Sequence, residues 1–176
     1  MNYLLLLLIV NASLDSIKIF DFNNTSNINS WRIVNDVVMG GKSSSTITIN
    51  NEGHGQFSGI VSTENNGGFS SVRHILKPVS VKKTDKIYIK LKGDGKDYQL
   101  RIKDSYKNYF SYIKIFSTSG KWQLIEIPLS DLYPSYRGRK LNKPNFYHNV
   151  IEEIAFLISN NKNERFQLII DNIYLK

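Results

Sequence analysis

Chemistry in this chain has few places to reside. The three histidines, His54, His74 and His148, are far apart, and none has a second ligand at metal-binding spacing, so no metal site is expected. There is no cysteine, which excludes thiolate catalysis, disulfides and thiolate-held zinc. No nucleophile elbow presents a serine for a Ser-His-Asp relay. Gly40-Gly41 is followed by serines and an apolar alternation, whereas a phosphate cradle needs a helix whose first amides meet the anion. Paired carboxylates stay open, because their separation in space is invisible in sequence; Glu126, opposite the apolar Ile125 and Ile127, reads as a surface residue. What remains is binding. Tyr88 and Lys90, then Gln99, Arg101 and Lys103, then Tyr112 and Lys114 occupy the outward positions of successive apolar alternations. If those strands are neighbours they form one basic face with interleaved rings, able to hold an anionic polymer or an acidic protein. Arg73 shares its parity with Phe69 and Ile75, on a partly apolar face. It would need a carboxylate there, Asp36 or Asp94, because an unpaired buried charge is costly.

The elements that must position these residues are strands. From Ile17 onward the chain alternates with period two, the signature of a half-buried strand. In "KIYIKLK", Ile87, Ile89 and Leu91 share one side; in "DYQLRIKD", Tyr98, Leu100 and Ile102 do. Gly93-Asp94-Gly95 between them predicts a hairpin. Similar runs recur at "TITI", "QFSGIVS", "FSSVRHIL", "YFSYIKIF", "WQLIEIPL", "EIAFLIS" and "FQLIIDNIYL", separated by turn signals such as "ENNGG" and "NNKNE". Only "NFYHNVIEE", Asn145 to Glu153, has room for a short helical turn. About nine evenly spaced strands call for an all-β fold, a jelly-roll-like sandwich of two antiparallel sheets.

With 176 residues, 41% hydrophobic and 12% aromatic, the chain has enough material for one buried core. Its net charge of +8 favours acidic partners or surfaces. The start differs: Leu4 to Val10 is an apolar run too short to span a bilayer, and Val10-Asn11-Ala12 resembles a signal-peptide cleavage site. We therefore expect a leader over residues 1–16 and a single sandwich domain over 17–176, periplasmic or secreted if the leader is cut and cytoplasmic otherwise. No transmembrane span is expected in the mature chain.

Five motifs stand in a fixed order: "NDVVMGGKSSS", "GGFSSVR", "LKGDGKDYQLRI", "WQLIEIPLSDLYPSYRGR" and "IAFLISNNKNERFQLIIDNI". With them the chain resembles the complex I intermediate-associated protein 30 family from about Phe20 to Leu175. That resemblance implies a galactose-binding-like β-sandwich related in shape to carbohydrate-binding modules, and an assembly factor that holds a protein partner without catalysis or a cofactor. The motif positions carried over are Asn35, Asp36, Met39, Gly40, Gly41, Ser43, Gly68, Phe69, Arg73, Gly93, Asp94, Gly95, Tyr98, Arg137 and Gly138. Val37 stands where the family often has glycine, and Glu164-Arg165 precede Phe166 where it often has Gly-Pro. The alternative is an exported carbohydrate-binding module or another binder of an anionic ligand; nucleic acid is not expected as a partner.

Locally, "NDVVMGG" reads as a turn. Asn35 and Asp36 can bond their own following amides. Val38 and Met39 are expected to plug one end of the sandwich, and Gly40-Gly41 lets the backbone reverse or approach closely. Either a capped end or the rim of a binding site results.

Overall fold

A computed structural model describes residues 16–176, with the side chains of Val38 and Met39 left undescribed. The expected leader, apart from Ser16, and the expected plug formed by Val38 and Met39 thus lie outside what is described. None of the described helices is long and apolar enough to cross a membrane.

The alternation becomes thirteen strands in two antiparallel sheets. One sheet runs β3 (Ser44–Ile49), β4 (Gly55–Val61), β13 (Glu164–Leu175), β6 (Lys86–Lys92) and β9 (Trp122–Pro128). A sixth strand, β1 (Ile17–Asp21), pairs with β13. The other sheet runs β11 (Arg139–Lys140), β10 (Tyr133–Tyr136), β8 (Ser111–Ser117), β7 (Asp97–Lys103), β12 (Val150–Ile158), β5 (Ser70–Ser80) and β2 (Trp31–Asn35). This is the expected all-β jelly-roll sandwich. Ile87, Ile89 and Leu91 from one sheet meet Tyr98, Leu100, Ile102 and Phe156 from the other in a continuous core. Period-two burial drives the architecture: each inward residue removes apolar surface from water while its neighbour remains on the outside.

Two expectations fail. The segment Asn145–Glu153 holds no helical turn; the chain is irregular up to Asn149, and β12 starts at Val150. Phe146 is buried in the core, and its amide donates to the Leu132 carbonyl at 2.9 Å, so tertiary anchoring outweighs local propensity. Nor do β6 and β7 form a hairpin, since they belong to different sheets and Gly93-Asp94-Gly95 carries the chain across the end of the sandwich. A side chain at Gly93 would meet Thr118 Oγ1 at 2.2 Å, and Gly95 sits at φ 85°. The Asp94 carboxylate accepts from Lys96 Nζ (2.7 Å), from the Tyr98 hydroxyl (3.0 Å) and from the backbone amide of Gln167 in β13 (2.9 Å). It clasps one sheet to the other just past the point where β6 stops pairing with β13.

Burial, with the Asp94 carboxylate close by, keeps the Tyr98 hydroxyl protonated well above the usual phenol range. Tyr98→Phe is expected to cost about 1 kcal/mol, the worth of one buried hydrogen bond, and to lower the melting temperature by about 3 °C. A variant that melts with the wild type would show that the clasp does not depend on the hydroxyl.

Candidate functional site

Most of the motif residues build the scaffold. Asp36 is buried, at 1% exposure. Its carboxylate accepts from the Ser43 amide (3.0 Å), the Ser43 hydroxyl (2.5 Å), the Gly68 amide (2.7 Å) and the Phe69 amide (3.2 Å). A Cβ on Gly41 would fall 2.3 Å from Asp36 Oδ1, and one on Gly67 2.7 Å from Oδ2. The glycines are therefore there to let backbone reach the carboxylate. Gly40 closes the short 3-10 turn Asp36–Met39 at φ 85°. Asn35 Oδ1 accepts from Ser45 and Ser70 hydroxyls at 2.9 and 2.7 Å. Asn35, Asp36, Gly40, Gly41, Asp94 and Tyr98 thus cap and clasp the sandwich. Arg137 lies apart, exposed in the two-residue turn joining β10 to β11, where Arg137 and Gly138 both take left-handed φ. Its guanidinium lies 5.3 Å from the Tyr136 ring centre.

The expected basic-aromatic face is split by the topology. Tyr88 and Lys90 sit on the outer face of the six-stranded sheet, where Tyr88 stacks on Tyr174 at 5.1 Å and Lys90 pairs with Asp171 at 2.8 Å. Lys90 helps line a shallow recess of ≈ 410 Å³ with Trp122, Leu124, Asn172 and Tyr174. Tyr112 faces the core, and its hydroxyl lies 2.8 Å from His148 Nε2; burial pushes that hydroxyl up to about 12. Lys114 pairs with Asp131 at 2.9 Å. Of that set Arg101 and Lys103, with Gln99, remain on the outer face of the seven-stranded sheet.

There they meet residues that the sequence alone did not place beside them. The pairings of β2, β5, β12 and β7 align Arg32, Arg73, Ala155 and Arg101 in one row across the sheet, continued by Ile113 and Tyr133 on β8 and β10. In the next row Glu153 stands directly opposite Lys103. This face is tightly covered: Ala155, Leu157, Ile113, Lys103 and Glu153 are all buried, yet the first three do not belong to the core between the sheets. Arg32, Arg73, Arg101 and Lys103 lie on it with Glu153, and Lys140 Nζ lies 5.4 Å from the ring centre of Tyr133. Lys103 Nζ donates to the Asn108 carbonyl at 2.7 Å and lies 3.8 Å from Glu153 Oε1.

Arg73 does not pair with Asp36 or Asp94, both of which are committed elsewhere. Among the described residues, no carboxylate lies within 4.0 Å of Arg32, Arg73 or Arg101. The Arg101 side chain donates, among the described residues, to Gln99 Oε1 alone, at 2.8 Å. Burial and the positive charge of Arg73 bring Arg101 down to about 10, against the pull of Glu153 and Tyr133. Burial likewise holds Lys103 below its ordinary range, Glu153 opposing and Arg73 and Arg101 reinforcing. Ala155, itself buried, stands between Arg73 and Arg101 in the row. Guanidinium forks hold carboxylates, phosphates and sulfates in bidentate fashion, so the arrangement suits an anion. Arg32 was readable from the parity of "WRIV", and Glu153 from a carboxylate set in the apolar run "IEEIAFLI"; their alignment with Arg101 was not.

The histidines serve local contacts. His74 Nδ1 lies 3.0 Å from the Ser30 carbonyl, and His54 Nδ1 lies 3.1 Å from Asp171 Oδ1. Among the described residues no group of three or more His, Asp or Glu side chains is arranged to hold a metal ion.

Comparison with known proteins bears on the family and the fold. A family model described as complex I intermediate-associated protein 30 matches residues 20–170. A Drosophila melanogaster protein, the mitochondrial complex I intermediate-associated protein 30, is 23% identical over 143 residues, covering 69% of this chain. This chain spans 48% of that relative's length. Among solved structures, a family 11 carbohydrate-binding module from Clostridium thermocellum, in complex with a β-1,3-1,4-mixed-linked tetrasaccharide, matches with a TM-score of 0.67 at 20% identity, covering 91% of this chain and 94% of that one. A family 30 carbohydrate-binding module matches with a TM-score of 0.56 at 16% identity, covering 93% and 99%. At such identities the likeness is one of fold.

Proposed function

Because this chain belongs to the complex I intermediate-associated protein 30 family, we propose that it is a non-catalytic binding domain whose seven-stranded sheet holds an acidic segment of another protein on its outer face, in the manner of an assembly factor. The observation that carries this reading is the pair Arg73 and Arg101 flanking Ala155 with, among the described residues, no carboxylate within 4.0 Å of either guanidinium. Keeping two like charges in a partly desolvated row is unfavourable in the free protein. An incoming carboxylate relieves that repulsion and adds charge-assisted hydrogen bonds. The row is built on strands, which hold the guanidiniums more rigidly than loops would and lower the entropy lost on binding.

The test is fluorescence polarisation with a labelled oligoglutamate peptide, using oligoglutamine as the neutral control. The wild type is expected to bind oligoglutamate alone, with affinity falling as salt rises. Arg73→Gln combined with Arg101→Gln is expected to weaken binding about 50-fold, at roughly 1–1.5 kcal/mol per charged contact. The double variant should melt no earlier than the wild type, since the repulsion is gone. Equal binding by both proteins would sink the reading.

A second reading is an acidic glycan, supported by the fold shared with carbohydrate-binding modules and by Tyr133 in the arginine row. A carboxylated oligosaccharide that binds the wild type more tightly than the peptide, and loses that affinity in the double variant, would favour it.

A further inference from the structure

Sheet edges expose unpaired peptide groups, and proteins ordinarily guard them with charge, proline, bulges, short strands or a covering element. Of the five edges among the described residues, four are short, bulged or engaged across the sandwich. β1 is five residues long and bulged between Lys18 and Phe20. β11 is two residues long, and β3 and β2 are joined by the Ser45 hydroxyl donating to Asn35 Oδ1. β9 is different. It is seven residues long, pairs with β6 without a bulge from Lys86↔Pro128 to Lys92↔Trp122, and among the described residues has no strand on its other side. Within it there is no lysine, and its single proline ends it.

The ladder shows which peptide groups are left over. Lys86 and Lys176 exchange both backbone hydrogen bonds, at 2.6 and 3.0 Å, so the even-numbered residues of β6 bond to β13 and the odd-numbered ones to β9. Leu129 donating to the Asp85 carbonyl continues the odd series. Through Ile87↔Ile127, Ile89↔Ile125 and Leu91↔Gln123, the inward bonds of β9 come from its odd-numbered residues. The amides and carbonyls of Trp122, Leu124 and Glu126 therefore face the open edge. The side chains of these three residues also lie on the solvent side, with Trp122 39% and Leu124 54% exposed.

We propose that β9 is a strand-addition surface for a second copy of this chain, two β9 edges pairing antiparallel about a two-fold axis at Leu124. Self-complementarity selects this occupant and this register. Centred on Leu124, the pairing sets Leu124 on its own mate and each Trp122 opposite the other chain's Glu126. Apolar surface is buried and no like charges meet. Centring on Glu126 would oppose two carboxylates, and centring on Trp122 would leave Leu124 facing Gly120. In the Leu124 register the two six-stranded sheets become one continuous sheet. The pairing leaves the arginine row on the other sheet free, so it stands or falls independently of the function proposed above.

Sedimentation velocity of the full chain over a roughly thousandfold concentration range tests it. The wild type is expected to pass from monomer to dimer as concentration rises. Leu124→Pro should remain monomeric with an unchanged melting temperature, because the amide it removes points outward and bonds to nothing within the chain. Leu124→Lys, which puts like charges on the axis, should weaken the dimer by at least about tenfold and keeps the test alive if the proline variant folds poorly. A wild type that stays monomeric throughout, or a dimer that survives Leu124→Lys unchanged, overturns the proposal.

Discussion

Asp36→Ala is expected to destabilise the fold by about 4 kcal/mol, near the upper end for a single substitution because it breaks a buried network. The carboxylate gathers the Ser43 amide and hydroxyl, the Gly68 amide and the Phe69 amide. Once it is gone, these donors are left without their acceptor in a site cut off from water. For a domain of this size the melting temperature should fall by about 12 °C. Asp36→Asn should fall between the two, since its amide group presents donors to donors.

Acid provides a second readout of the same network. Burial alone would raise the carboxyl's pKa, but the hydrogen bonds from Ser43, Gly68 and Phe69 outweigh it, and the group sits below its ordinary 3.8. A depressed folded-state pKa contributes stability that is complete above 3.8 and is lost as pH falls through the lower folded value. The wild type should therefore lose the advantage conferred by Asp36 only in strong acid, and Asp36→Ala should lack that part of the acid limb. If Asp36→Ala melts with the wild type at neutral pH, the carboxylate is not what ties the loops together.

Glu153→Ala is expected to cost about 3 kcal/mol at low ionic strength. Glu153 is the carboxylate paired with Lys103, which is only 8% exposed, and it also offsets the charge of Arg101. Removing it leaves buried and half-buried cations facing one another. Glu153→Gln, which keeps the volume, should lose nearly as much, marking the effect as one of charge. Adding Lys103→Met to Glu153→Gln should recover most of the loss, with a coupling of about 2 kcal/mol between the sites. Inorganic phosphate should stabilise the Glu153 variants more than the wild type if it settles on the arginine row. Thermal melts with and without phosphate decide this. Losses below about 0.5 kcal/mol in both variants would mean that Glu153 does not carry the charge balance of the face.

The five-motif resemblance pointed to the right family and fold, yet most of its positions turn out to be scaffold. Asp36 and Gly41 read in sequence as a turn, with a binding rim as the alternative. Only the approach of two separate segments, at Ser43 and at Gly68 and Phe69, to one carboxylate shows the turn-building role. Gly93-Asp94-Gly95 has the composition of a hairpin, and the inward sides of "KIYIKLK" and "DYQLRIKD" would be the same in a hairpin or a crossover. The Asp94 bond to the Gln167 amide joins residues far apart along the chain, and no local pattern announces it.

The sequence by itself determined that this protein is built of strands, which residues of "KIYIKLK" and "DYQLRIKD" point inward, and where the chain turns, although Tyr112, read as outward, faces the core. Those properties follow from period-two burial and from the backbone freedom of Gly, Asn and Asp, which act over a few residues. Only the tertiary structure decided which strands are neighbours. That choice depends on filling one core with all thirteen strands at once, and parity is indifferent to it. So Lys90 and Arg101, close along the chain, lie on opposite faces of the sandwich, while Arg73 and Arg101 come to flank one alanine.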